Sequence, residues 1–226
     1  MNLALFDLDH TLIPLDSDYE WGQFLVKIGA VEPDAFARRN AEFFAQYQAG
    51  TLDPVLYLDF ALGTLARFKR SQLDQWHGRF MREVIAPVIL PQAHELLQKH
   101  RDAGDLICIV TATNRFVTAP IAAALGVTHL IAAEPEYTVD GEVTGRLRGT
   151  PTQGEGKVTH TRAWLAGMGK SLASFEQTHF YSDSAADLPL LSAVTHPVAT
   201  NPNAKLAAHA REHGWPILNL FDHSVQ

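Results

Sequence analysis

The sequence predicts an α/β fold, a doubly wound parallel sheet carrying an inserted all-helical cap. Three observations point there. The chain opens on a strand-length apolar run, Leu3–Leu8, without polar alternation, as a strand covered on both faces reads. Four apolar stripes at helical spacing follow with no strand between them. From Pro87 onward, strand-like and helix-like segments alternate, which implies parallel strands joined by right-handed crossovers.

The elements follow in order. Trp21, Phe24, Leu25 and Ile28 mark the first helix, and Phe36, Phe43, Phe44 and Tyr47 the second. Val55, Leu58, Leu62 and Leu65 mark the third, and Leu73, Trp76, Phe80 and Val84 the fourth. Gly29, Gly50 and Lys69-Arg70-Ser71 punctuate them, and all four stripes read as core packing. A helix over Glu95–Ala103 stops at Gly104, and Leu106–Thr113 is a strand. Phe116–Leu125 is a helix that Pro120 should kink, followed by a strand over His129–Ala133. Tyr137–Val139 and Glu142–Thr144 flank Asp140-Gly141 as a hairpin, because Asp-Gly tolerates the positive φ of a tight turn. The remainder alternates: helix Gly156–Ala166, strand His179–Ser182, helix Leu188–Val194, strand Pro197–Ala199, helix Ala204–His213 and strand Pro216–Leu220. The expected division is a core of residues 1–15 and 86–226 and a cap of residues 16–85.

With 226 residues, 46% hydrophobic and 19% charged, the chain is long enough for a substantial core. Its net charge of −7 offers no positive field for a nucleic-acid backbone or an anionic membrane, so neither is an expected partner. The run before Asp7 is too short for a signal segment, and no apolar stretch approaches a membrane span. Cys108 is single and lies in an apolar run, which excludes an internal disulfide and fits a cytoplasmic setting.

In doubly wound sheets the site lies beyond the carboxyl ends of the strands. Three such ends are polar here: Asp7-Leu8-Asp9-His10-Thr11, Thr111-Ala112-Thr113-Asn114, and Ser182-Asp183-Ser184-Ala185-Ala186-Asp187. Lys157 stands at a helix start between the last two. Converging carboxylates repel one another unless a cation neutralises them, and all-oxygen ligands suit Mg²⁺. Such an ion would draw in a phosphate, held by Thr111, the backbone N–H groups after it, among them that of Ala112, and Lys157. On a continuing strand Asp7 and Asp9 would point to one side, one to attack phosphorus and the other to handle the leaving-group proton. Crowding by neighbouring acids would raise Asp9 toward neutrality for that task. His10 reads as a loop side chain pointing away. The histidines show no zinc spacing, and Gly154-Glu155-Gly156 lacks the spacing of a nucleotide phosphate loop.

Asp7-x-Asp9-x-Thr11, Thr111, Lys157, and Asp183 with Asp187, in that order, resemble the haloacid dehalogenase superfamily over essentially the whole chain. The helical insertion is similar to the phosphoserine-phosphatase-like branch. The stretches Asp16–Trp21, Thr111–Phe116 and Gly154–Lys157 resemble a bacterial subgroup that includes histidinol-phosphate phosphatases. The resemblance implies Asp7 as nucleophile and Asp9 as general acid/base. It implies Mg²⁺ held by the Asp7 carboxylate, the Asp9 carbonyl and Asp183, with Asp187 in support, and Asp16 on the substrate's amino group. Two departures stand out. Ser182-Asp183-Ser184 replaces Gly-Asp-Gly, and Ala186 replaces an asparagine, which should weaken support of the metal.

The expected activity is hydrolysis of a small phosphomonoester through an aspartyl phosphate. A phosphotransferase using the same intermediate and a non-catalytic phosphate-binding protein are the alternatives. The acids Asp16, Asp18 and Glu20 favour a substrate with a cationic amine or imidazole by charge complementarity, and Arg38 and Arg39 lie farther on. Histidinol phosphate fits this, while the carboxylate of phosphoserine needs a cation the sequence does not place.

Overall fold

The computed structural model describes residues 1–221. Its first strand, β1 (Leu3–Phe6), is wholly buried and pairs in parallel on both sides. One neighbour is β2 (Leu106–Asn114), the other β6 (Thr178–Ser182). The sheet continues through β3 (His129–Ala133) on one side, and through β7 (His196–Thr200) and β8 (Ile217–Leu218) on the other. The order β3-β2-β1-β6-β7-β8 reverses direction at β1, the switch point at whose carboxyl end ligands bind.

Alternation along β1 serves two cores. Leu3 and Leu5 join Cys108 and Val110 on one face. Ala4 and Phe6 join Ile109 on the other, in a cluster that runs on into Trp21, Phe24, Leu62, Leu73 and Phe80 of the inserted helices. Each large side chain buried here contributes roughly 1.5–3 kcal/mol.

The inserted helices are α1 (Ser17–Lys27), α2 (Pro33–Ala49), α3 (Pro54–Leu65) and α4 (Arg70–Phe80). Asp16, Glu32 and Asp53 cap the first three, each accepting from two backbone N–H groups of the first turn. One stripe member departs from the core reading. Val55 is 53% exposed, because it sits in the first turn of α3 with its N–H on the Asp53 cap. At the end of α4 the backbone passes into a π-helical turn, Met81–Ile85, which buries Ile85 fully while Val84 packs partly buried against the same core.

The crossover helices are α5 (Pro91–Asp102), α6 (Arg115–Ala124), α7 (Glu155–Gly167), α8 (Leu188–Ala193) and α9 (Ala204–Glu212). Pro120 lies inside α6 without ending it. The hairpin forms, but with different bounds. Its strands are β4 (Pro135–Tyr137) and β5 (Val143–Leu147), and Asp140-Gly141 closes a five-residue loop rather than a two-residue turn. The Gly141 N–H bonds to Thr138 O at 2.9 Å, and the Thr138 N–H to Glu142 O at 2.8 Å. At Gly145 a Cβ would stand 3.2 Å from the Ala66 Cβ and 3.4 Å from the Gly63 Cα, so β5 leans closely on α3. β8 is shorter than expected because Asn201 Oδ1, not a ladder, takes the N–H groups of Leu220 and Phe221. Among the described residues, no helix is long and apolar enough to cross a membrane.

Candidate active site

β1 stops at Phe6, but the Asp7 N–H still bonds to Tyr181 O at 2.9 Å, which fixes Asp7 at the strand end. The chain then winds around one acceptor. Leu8 O takes the N–H groups of Thr11, Leu12 and Ile13. This turn holds His10 at a φ of 55°, and Asn201 Nδ2 donates to the carbonyls of His10 and Thr11. Asp7 and Asp9 thus meet one cavity from a strand end and a tight turn, not from a continuing strand. His10 is not among the residues lining it.

Lys157 joins them from the first turn of α7. A Cβ at Gly156 would overlap the Pro151 carbonyl, so the loop packs directly on the helix start and sets where Lys157 emerges. The ammonium is 2% exposed and bridges Asp7 Oδ1 at 2.9 Å and Asp187 Oδ2 at 2.6 Å. Burial alone would lower its pKa, but the charges of Asp187 and Asp7 outweigh that and hold it above the usual lysine value. Burial pushes the Asp7 carboxyl up to about 7, against the opposing charge of Lys157. Asp9 is pushed up to about 6 by burial and then by the charge of Asp16. Its oxygens accept from the Ser17 N–H and the Thr113 hydroxyl, each at 2.8 Å.

Thr111 lies at the end of β2, 1% exposed, with its hydroxyl oxygen accepting the Thr113 N–H at 3.2 Å. That leaves its O–H to donate. Thr111 and Ala112 both line the cavity. Asp183, at the end of β6, stands against Thr11, accepting its hydroxyl at 3.4 Å and donating its own N–H to it at 3.1 Å. Asp183 does not line the cavity. Burial, then the charges of Asp7 and Asp187, raises its carboxyl well above the usual range. The two serines of the departing motif build a hydroxyl chain. Ser182 Oγ donates to Asp187 Oδ2 at 2.7 Å and accepts the Ser184 N–H, while Ser184 Oγ accepts the Ala186 N–H. Asp187 is anchored by Ser182 and Lys157 without the missing amide.

A hard divalent cation fits these donors. Asp7 and Asp183 are buried carboxylates whose charges cost free energy while, among the described residues, nothing cationic beyond Lys157 offsets them. No group of three or more metal-ligating side chains occurs among the described residues. The expected set needs only two carboxylates and the Asp9 main-chain oxygen, as suits an ion that keeps several waters.

Asp16 Oδ1 accepts from the N–H groups of Asp18 and Tyr19 as the cap of α1, and Asp16 also lines the cavity. Part of the lining comes from the second and third stripes. Phe43, Phe44, Tyr47 and Leu58 face this cavity, so those positions are more than core packing. The sequence assigns no role to Thr113, Ser17 or Asn201 and marks Ser182 only as a departure from the family motif, since Thr113 and Asn201 act through contacts distant along the chain and Ser17 and Ser182 through ordinary-looking turns.

The haloacid dehalogenase-like hydrolase family model matches residues 4–192. The chain belongs to that family. It is 45% identical over 219 residues to a histidinol-phosphatase of Neisseria meningitidis serogroup C (strain 8013), covering 97% of this chain and 99% of that one. Among solved structures, a Bordetella pertussis Tohama I protein of unknown function is 51% identical, with a TM-score of 0.93 over 97% of this chain and 99% of that one. A substrate-bound phosphoserine phosphatase is 16% identical with a TM-score of 0.69, covering 96% and 91% of the two chains. The fold is that of the family's phosphoserine-phosphatase-like branch.

Proposed function

We propose that this phosphatase moves the phosphoryl group of a small phosphomonoester first to Asp7 and then to water, and that histidinol phosphate is its substrate. The observation that carries the reading is the pairing of a buried carboxylate at the β1 end with a buried lysine, both on the cavity that Thr111 and Ala112 also line. The Neisseria relative, similar over nearly its whole length, supports the choice of substrate.

In the first step an Asp7 oxygen attacks phosphorus and the ester oxygen leaves. Asp9, raised toward neutrality by burial, gives its proton to the leaving oxygen. In the second, Asp9 takes a proton from water as the water attacks phosphorus, and the bond to Asp7 breaks. The Thr111 hydroxyl, the Ala112 N–H and the Lys157 ammonium hold the non-bridging oxygens as negative charge moves. Mg²⁺ held by Asp7, Asp183 and the Asp9 carbonyl, with Asp187 in support, would supply the positive charge that lets a phosphate approach these acids. Asp16 lends negative charge beside the leaving group. Residues 16–85 serve as the cap, whose aromatic wall excludes water from the first step.

The test is phosphate release from histidinol phosphate by the purified chain. Mg²⁺ should support turnover and EDTA abolish it. Undiminished release in EDTA, or none with Mg²⁺, would refute the proposal.

A further inference from the structure

One acidic residue of the cavity lining has an unmet demand. Asp18 lines the cavity and is 5% exposed, and among the described residues its Oδ2 makes no hydrogen bond of ordinary geometry, with the Tyr57 hydroxyl standing nearby. A buried carboxylate oxygen left unpaired costs free energy, so a partner in the working complex is expected. The other oxygen is fixed. Asn114 Nδ2 donates to Asp18 Oδ1 at 3.1 Å, while Asn114 Oδ1 caps α6 at the Val117 N–H. Asn114 ends the strand that carries Thr111, so Asp18 is tied to the strand end that carries Thr111 and Ala112. Asp16 differs in that its Oδ1 is used in capping α1.

Aromatic rings line the same cavity. Tyr19 stacks on Phe44 with centroids 4.5 Å apart, and Phe43 meets Tyr57 edge-on at 5.4 Å. All four line the same cavity. Such walls favour a flat, positively charged ring. The complementary absence is cationic. Among the described lining residues Lys157 is the sole cation, and it is held by Asp7 and Asp187. Arg39 lies outside the lining, paired with Glu42 at 2.9 Å. A leaving group bearing a carboxylate would therefore bury it against Asp16 and Asp18 with no partner.

We propose that Asp18 is the specificity-determining residue of this site: its Oδ2 accepts a hydrogen bond from a leaving group that carries a cationic flat heterocycle, set among Tyr19, Phe43, Phe44 and Tyr57, and the same wall rejects leaving groups that carry a carboxylate. This rests on the phosphatase reading above and adds which residue chooses the substrate. Burial, and then the charge of Asp16, pushes the Asp18 carboxyl up to about 7, as befits an acid that lacks its cation.

The experiment compares kcat/KM for histidinol phosphate, phosphoethanolamine, phosphoserine and p-nitrophenyl phosphate in wild type and Asp18→Asn, with Mg²⁺ present. Asparagine keeps the shape and can still accept from Asn114. Wild type should prefer histidinol phosphate over phosphoethanolamine, which has the amine but no ring, and should use phosphoserine least. In the variant the ratio of kcat/KM for histidinol phosphate to that for p-nitrophenyl phosphate should fall about 10- to 100-fold, the effect of losing a hydrogen bond to a charged group. A ratio unchanged within about threefold would overturn the assignment. So would loss of all turnover at an unchanged melting temperature, which would place Asp18 in phosphoryl transfer itself. If the variant melts far lower, the ratio is read on Asn114→Ala, which frees Asp18 from its tether and should shift it in the same direction; no shift there overturns the proposal. Wild type inert toward every ester would refute the phosphatase mechanism and this inference together, whereas active wild type with no preference refutes the inference alone.

Discussion

Replacing Lys157 by methionine keeps much of the side-chain bulk and removes the one charge that stands between Asp7 and Asp187. Both pairs are short, at 2.9 and 2.6 Å, and all three groups are buried. Removing one partner of a buried ion pair costs about 3–5 kcal/mol, because the remaining charge is left uncompensated. At a slope of about 2–3 kcal/mol per M, the urea midpoint of the metal-free protein should fall by roughly 1–2 M. The loss should depend on pH. Lys157 opposes the rise of the Asp7 pKa, so in the variant that pKa goes above the value of about 7 found with lysine present. A folded-state pKa raised above the unfolded one means that the folded chain binds the extra proton. Stability is then retained below the unfolded value near 4 and lost as pH rises through the folded value. The deficit against wild type should be small near pH 4 and largest at pH 8. Urea titrations in EDTA at pH 5 and pH 8 read it directly. A variant as stable as wild type at pH 8 would refute the claim that Lys157 neutralises a buried carboxylate pair.

Two further outcomes follow from the same geometry. Gly156→Ala should cost about 1–3 kcal/mol in thermal or urea unfolding, because the added methyl meets the Pro151 carbonyl; it should also lower kcat/KM at least about tenfold by displacing Lys157, and an unperturbed variant would show that the loop yields freely. Mg²⁺ should raise the melting temperature of wild type by several degrees and that of Asp183→Asn much less; equal shifts in the two proteins would remove Asp183 from the ligands.

Much of this architecture was legible because it is local. The all-apolar Leu3–Leu8 run and the polar strand ends announce a parallel sheet and where its site lies, and the sheet order places β1 between β2 and β6 as such a sheet requires. What periodicity cannot carry is contact at long separation. Thr113 reaches Asp9 across 104 positions, Asp18 reaches Asn114 across 96, and Asn201 clamps the first motif from 190 or more residues away. The hairpin forms with other bounds because Asp-Gly also closes longer loops, and β5 packs on α3 at Gly145. The stripe of Phe43, Phe44 and Tyr47 read as core because apolar spacing does not distinguish a packed face from a cavity wall.

The central claim is covalent transfer to Asp7, and an acyl phosphate can be caught chemically. Enzyme mixed with histidinol phosphate and Mg²⁺, quenched in acid during turnover and reduced with borohydride, should yield a peptide with homoserine in place of Asp7, since hydride reduces the activated acyl group and releases phosphate. The same treatment of Asp7→Asn should give none. Homoserine at another aspartate, or its absence from a sample that is turning over substrate, would contradict the account.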